Sequence, residues 1–241
     1  MKTKDKVAIG MVNDGSINCN LVIDLIQIAR RRADKFDSFV QVSNIGLLTR
    51  SRNLLVKNFL EQTNATWLLM IDSDERLTLE TFDKLIQTAH DKEKPIVSAL
   101  VFAAFFDDDG SLRPVPTIYR ELPESGLQAM DDYPIDTVVK VDAAGTGCLL
   151  IHRSVLLELQ EKATENQGKD WAWFVDGAIN GRWFGEDLLF SKRLAFLGIP
   201  IHVHTGAICA HNKEFWLDER HHKLFRDAAI ESKLLGSQQE G

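Results

Sequence analysis

Nothing in these 241 residues is apolar for long enough to cross a bilayer, which takes a run of about 20. The opening MKTKDKVAIG has no apolar core of the kind a secretory signal carries. Cysteine is scarce. Cys19, Cys148 and Cys209 are odd in number and far apart, so they resemble neither a disulfide framework nor a zinc site. These absences lead to the expectation of a cytoplasmic protein in a reducing compartment. Positive charge is also short: 28 Lys and Arg stand against 35 Asp and Glu, a net charge of −7. That balance argues against a broad nucleic-acid footprint, although it leaves a nucleic acid acceptor open. The one basic cluster, Arg30-Arg31-Arg32, falls at the end of an expected helix, where it complements the dipole. Repeats and low-complexity segments are missing too. What is present, 44% hydrophobic and 26% charged residues, is the composition of a globular chain long enough for one substantial core.

Within that ordinary composition the stretch Trp67-Leu68-Leu69-Met70-Ile71-Asp72-Ser73-Asp74 stands out. It is a short apolar run that ends in two carboxylates one residue apart. Such a run reads as a strand buried on both faces, as in a parallel sheet. The carboxyl edge of a parallel sheet is where open α/β folds bind ligands. Two hard oxygen donors at that edge suit Mg²⁺ or Mn²⁺ together with substrate phosphates. The simpler alternative is an Asp-rich turn capping a helix that starts near Thr78.

The flanking chain alternates. Strands are predicted over Val7–Val12, Ser38–Ser43, the Asp72 segment and Pro95–Leu100. Helices are predicted over Leu21–Ala33, Arg50–Leu60 and Leu79–His90. This order implies a mostly parallel sheet with right-handed crossovers. After Phe106 a turn signal, Asp107-Asp108-Asp109-Gly110, opens a hairpin or loop excursion over Ser111–Tyr133. Strand character returns at Val138–Val141 and Cys148–His152. A helix from Ser154, a polar segment near Ala163–Lys169 and a final strand–helix region follow. The expectation is a single domain over residues 1–241. Residues 1–106 form its nucleotide-binding half, and residues 107–241 its acceptor-side half with a C-terminal helix.

Four further features qualify as chemistry, each with a plainer alternative. Thr49-Arg50-Ser51-Arg52-Asn53 opens a helix, whose free N–H groups and positive potential suit an anion, or is a solvated helix start. Gly145-Thr146-Gly147 lies between two apolar strands, where glycine allows close backbone approach to a ligand, or is a tight turn. Trp183-Phe184-Gly185-Glu186-Asp187 leads an aromatic loop into an amphipathic helix; its acids are site groups or dipole partners. Finally, His202, His204 and His211 lie on or near a last strand, where one could complete a metal site with the Asp pair.

Taken in order, these segments resemble the GT-A fold of nucleotide-sugar glycosyltransferases, particularly family-two-like members. SRNLLVKNFLEQTNATWLLMIDSDERL is similar to the family's helix, strand and Asp-x-Asp. VDAAGTGCLLIHRSVL is similar to its glycine-containing segment, and FGEDLLFSKRLAFLGIPIHVH to its later acidic pair, helix and strand. The fold so implied is α/β and Rossmann-like, with a mostly parallel central sheet flanked by helices. The resemblance implies donor contacts from Asn13, Arg52, Asn53, Asp72, Ser73 and Asp74, with Gly145 and Gly147 alongside. It implies Mn²⁺ or Mg²⁺ held by Asp74 and His211, with His204 as the substitute. Asp72 is either a third ligand or a ribose contact. Asp187 is the implied general base and Glu186 the group that positions the acceptor. The activity implied is transfer of one sugar, with inversion, from a nucleotide diphosphate (UDP-sugars foremost) to a hydroxyl acceptor the sequence does not identify. The motif of processive synthases is absent, as is an early acidic pair after the second strand. Two rivals stand beside this reading: a haloacid-dehalogenase-like phosphatase using Asp72 as nucleophile, and a non-catalytic nucleotide-sugar-binding module.

Overall fold

The computed structural model of this chain describes residues 1, 5–43, 46–107, 111–123, 126–167, 172–179, 181–214, 219, 222, 223 and 226, without the side chains of 163–167. The first elements are β1 (Val7–Asn13), α1 (Cys19–Arg31), β2 (Phe36–Ser43), α2 (Leu48–Gln62) and β3 (Trp67–Asp72). The strands lie within two residues of their sequence-predicted starts and ends. β1 pairs parallel with β2 on one side and β3 on the other, with Met11 opposite Ile71 and Val12 opposite Asp72. The two strands therefore reach the same sheet edge together.

A short β4 (Glu75–Arg76) and α3 (Leu79–Thr88) follow, α3 capped by the Thr78 hydroxyl, which accepts from the Thr81 N–H at 3.1 Å. Next come β5 (Ile96–Phe106), β6 (Leu112–Pro116), β7 (Ile118–Leu122), β8 (Gly126–Ala129), β9 (Val138–Val141), β10 (Ala143–Ala144) and β11 (Cys148–His152). The rest is α4 (Arg153–Gln167), β12 (Gly177–Ile179), β13 (Arg182–Phe184), α5 (Glu186–Phe196) and β14 (Ile201–His211). The main sheet runs β2-β1-β3-β11-β5-β14-β4. β11 is antiparallel to both β3 and β5, so β3 and β5 point the same way, and β14 is parallel to β5. The carboxyl ends of β1, β3, β5 and β14 thus share one edge, which brings Asp72 and His211 to the same side. The sheet is mostly parallel, as the alternating pattern implies. The antiparallel β11 between β3 and β5 carries no periodicity signal of its own.

Helices cover both faces. On one face Leu55, Val56 and Phe59 of α2, with residues of α4 and α5, pack over Leu68 and Met70. On the other, Leu21, Leu25 and Ile28 of α1 and Phe82 and Leu85 of α3 pack over Trp67, Leu69 and Ile71. Alternate residues of β3 serve opposite cores, which is why its sequence is a continuous apolar run.

By internal contact the chain divides into a larger unit, Met1–Phe102 with Pro116–Asn212, and a smaller one, Ala103–Val115 with Lys213–Gly241. In the smaller unit Arg113 reaches Asp107 at 3.3 Å and lies 6.0 Å from the Phe105 ring centre. In the larger unit the excursion over Ser111–Tyr133 includes an antiparallel β7–β8 hairpin, with β10 as its third strand. The polar segment expected near 163–169 begins within α4, and its remainder lies outside the described residues, as does most of the expected C-terminal helix. No described helix is long and apolar enough to cross a membrane.

One buried side chain joins the front of α2 to the chain that leads into β12. The Asn53 amide oxygen accepts from the Trp173 and Phe174 N–H groups at 2.7 and 2.9 Å, and its nitrogen donates to the Phe174 carbonyl at 2.6 Å. Asn53→Ala leaves these buried backbone groups unsatisfied. We expect unfolding free energy to fall by about 2–4 kcal/mol in urea melts, since each orphaned group costs about 1–3 kcal/mol.

Candidate functional site

At the shared edge, the ends of β1 and β3 and the start of α2 surround a cavity of about 390 Å³, lined by Asn13, Leu47, Ser51, Asp72, Ser73 and Asp74 among others. α2 begins there with Leu47 as N-cap and no side chain hydrogen-bonded to its free N–H groups. The Asn13 oxygen accepts from Gly15 N–H at 3.0 Å, while its buried nitrogen has no partner among the described residues. Ser73 lines the cavity, and its carbonyl accepts from the Asn18 N–H at 3.0 Å.

Arg52, one turn into α2, is 3% exposed. Its Nη2 donates to both oxygens of Asp72, at 3.0 and 2.9 Å, and its Nη1 donates to Glu186. The expected donor contact is thus a buried tie between β3 and α5. Burial raises the Glu186 carboxyl above its ordinary range against the pull of Arg52, and the neighbouring Asp187 adds to the rise. Asn53 is likewise engaged with residues 173 and 174.

Asp74 turns the other way. The His211 Nε2 lies 3.0 Å from its Oδ2, and the His211 Nδ1 lies 2.9 Å from the Phe102 carbonyl. β4 pairs with the end of β14, setting Glu75 opposite His211, with 3.6 Å between Glu75 Oε1 and Nδ1. Ligand atoms of Asp74, Glu75 and His211 lie within 4.8 Å of one another. Glu75 is 2% exposed, and neither carboxyl oxygen has a hydrogen-bond partner among the described residues. Burial, then the Cys209 thiol and the charges of Asp72 and Asp74, push its pKa up to about 10. An orphaned buried carboxylate beside a second carboxylate and an imidazole is a donor set that fits Mn²⁺, and less closely Mg²⁺. The expected ligands Asp74 and His211 are brought together in this set. Asp72 is outside it, held by Arg52. His204 is elsewhere, 4.0 Å from Asp136.

The glycine segment packs behind these acids. The Gly147 carbonyl accepts from the Asp72 N–H at 2.9 Å, and a Cβ on Gly147 would sit 2.8 Å from Glu75 Oε1. A Cβ on Gly145 would sit 2.9 Å from Thr117 Oγ1. The close approaches these glycines permit are to the protein's own side chains. Asp187 opens α5, its Oδ1 accepting from the Leu188 N–H at 2.7 Å. Tyr119 on β7 lies opposite Ala143 of β10; the Ala144 N–H donates to Ser191 Oγ at 3.3 Å, and that hydroxyl donates to the Asp187 carbonyl at 3.0 Å, so β10 joins β7 to the first turn of α5. Burial, then the charge of Asp187, raise the pKa of the Tyr119 phenol. Sequence reading missed Glu75 and Tyr119. The third acid of Asp-Ser-Asp-Glu was visible, but only the β4–β14 pairing buries it. Nothing near Tyr119 in sequence connects it to Asp187.

No family model and no curated protein match the chain. Among solved structures, the crystal structure of A197 from STIV is 18% identical with a TM-score of 0.56, covering 87% of this chain and 86% of that one. The structure of GalNAc-T7 with UDP, GalNAc and Mn²⁺ is 11% identical with a TM-score of 0.52, over 87% of this chain and 43% of the other. The chain thus spans less than half the length of GalNAc-T7. At such identities the likeness shows the fold, which is GT-A-like.

Glu75 supplies a test of the site's electrostatics. Its folded pKa is raised from the ordinary 4.5 to about 10. Between those values the folded state holds a proton that the unfolded state has released, so this group's contribution to stability falls as pH rises. Glu75→Gln removes that slope. The metal-free variant is expected to melt higher than the parent near neutral pH and to gain less from added Mn²⁺. Parallel melts with chelator and with Mn²⁺ across that pH range check both.

Proposed function

We propose that the protein is a metal-dependent glycosyltransferase that moves one sugar from a nucleotide-diphosphate donor, a UDP-sugar first among them, to a hydroxyl acceptor with inversion. The observation that carries this reading is the cluster of Asp74, Glu75 and His211 beside a cavity at the carboxyl edge of the sheet, where the uncapped start of α2 also opens. Asp74, Glu75 and His211 would hold Mn²⁺ or Mg²⁺, which when bound supplies positive charge against the departing diphosphate. The nucleotide lies along Asn13 and Ser73. The phosphates face the open N–H groups of α2. Asp72, oriented by Arg52, presents its outer edge to the donor's ribose. Asp187 takes the acceptor's proton as the new bond forms, from the face opposite the leaving phosphate, and Glu186 orients the acceptor. A phosphatase reading would need Asp72 as a free nucleophile, whereas both its oxygens accept from Arg52.

Two measurements test the assignment. Asp74→Ala and His211→Ala are each expected to abolish the Mn²⁺-dependent part of UDP binding in calorimetry while melting cooperatively. Binding that keeps its full Mn²⁺ dependence in either variant would defeat the ligand set. Asp187→Asn retains shape and is expected to lower turnover about 10²–10⁴-fold with donor affinity unchanged. Near-parental turnover in that variant would reduce Asp187 to a helix-dipole partner.

A further inference from the structure

The acceptor side of α5 has a composition of its own. β13 runs straight into Gly185, Glu186 and Asp187, and its middle residue, Trp183, which pairs with Ala178 of β12, is 73% exposed. An indole left facing water beside a candidate catalytic carboxylate is costly surface to leave uncovered, and Trp serves recognition where one face is apolar and the rim is wet. Across from this hairpin stands β7. Arg182, next to Trp183, packs at Gly126, whose Cβ would meet its Nη1, so the β12–β13 and β7–β8 hairpins adjoin. Tyr119 on β7 is half-buried, and its hydroxyl makes no hydrogen bond among the described residues. Charge nearby is of both signs, with Arg120 beside Tyr119 and Arg182 beside Trp183 both exposed. Glu186 and Asp187 open the helix, Asp176 acts on Glu186, Lys192 pairs with Glu121, and Arg193 donates to the carbonyls of Ala172 and Trp173.

We propose that the acceptor is a saccharide whose pyranose ring lies on the exposed face of Trp183, with its reacting hydroxyl between Asp187 and the Tyr119 hydroxyl. The inference rests on the glycosyltransferase reading and deepens it by naming the acceptor class. A pyranose suits these groups because one face of the ring is lined by C–H bonds and packs on a flat aromatic, while its hydroxyls both donate and accept. In the transfer the acceptor O–H gives its proton to Asp187. Its oxygen bonds to the donor's anomeric carbon as the bond from that carbon to the β-phosphate oxygen breaks, and the electron pair leaves on the nucleoside diphosphate. The Tyr119 hydroxyl holds the acceptor oxygen in line and does not change protonation state.

The experiment measures UDP release from a panel of UDP-hexoses with Mn²⁺, alone and with added methyl glycosides, serine- and threonine-containing peptides, or a short oligonucleotide as acceptor probes. At least one methyl glycoside is expected to raise release well above the rate without acceptor. Trp183→Ala is expected to lower kcat/KM for that glycoside roughly three- to tenfold, mostly through KM, the worth of one aromatic contact. Tyr119→Phe is expected to lower it mostly through kcat. Phe196→Ala, which removes a still more exposed aromatic from the far end of α5, serves as control and should leave the rate unchanged. Stimulation by peptide or oligonucleotide and by no glycoside overturns the saccharide assignment alone, since turnover of the donor then stands. Equal kcat/KM in Trp183→Ala and the parent overturns the stacking role. If no UDP-hexose binds in the presence of Mn²⁺, the glycosyltransferase reading fails and the acceptor assignment with it.

Discussion

A guanidinium that is 3% exposed has to be matched where it lies, and the site is arranged around that requirement. Arg52 meets Asp72 from β3 and Glu186 from α5, so one buried cation sets the relative positions of the sheet edge, the helix after β2 and the helix after β13. Such a triad is weak evidence of net stabilisation, because its Coulomb energy is offset by the desolvation of three charges. Its effect is geometric. Arg52 without its partners would be an uncompensated buried charge, a loss of about 3–5 kcal/mol, so the elements have little freedom to drift apart. Asp72 is thereby turned toward α2. Asp74, two residues on, is left to turn toward β14, where the Asn212 N–H donates to its carbonyl at 2.7 Å.

That division of labour between two acids of one motif explains which parts of the fold and site were legible in the sequence. β3 was legible because burial on both faces demands an unbroken apolar run, and α1 to α3 because each shows one apolar stripe and two of them carry side-chain caps. The order of motifs pointed to the fold. Pairing partners distant in sequence left no such trace. The placement of β11 between β3 and β5, and the β4–β14 ribbon that seats Glu75 against His211, depend on register between paired residues more than 50 positions apart. Residue type did not separate a ligand contact from a structural use of equal merit. Arg52 and Asn53 stand where donor ligands are expected, yet one neutralises carboxylates and the other satisfies backbone groups of residues 173 and 174. Gly145 and Gly147 do permit close approach, but to Thr117 and Glu75.

Glu75 is the least economical feature of the molecule on stability grounds alone. A carboxyl group buried to 2% exposure with no hydrogen-bond partner among the described residues burdens the folded state, and a leucine or glutamine would carry less penalty. The neighbourhood is nevertheless shaped to keep it. Gly147 lacks the Cβ that would strike Glu75 Oε1 at 2.8 Å, and β4 exists only as the two residues that pair it with the end of β14. Local rules of packing and polar satisfaction are broken together at one point, which is the pattern expected where a site holds a ligand. A divalent cation held here would supply the missing partner, and its charge would offset the repulsion between Glu75 and Asp74. The same burial that penalises Glu75 without an ion would then strengthen its attraction to one, because screening by water is weakest there. Under the proposed function, stability is given up at Glu75 to hold a cation beside Asp74 and His211, two residues along the chain from the acid that Arg52 holds for the donor.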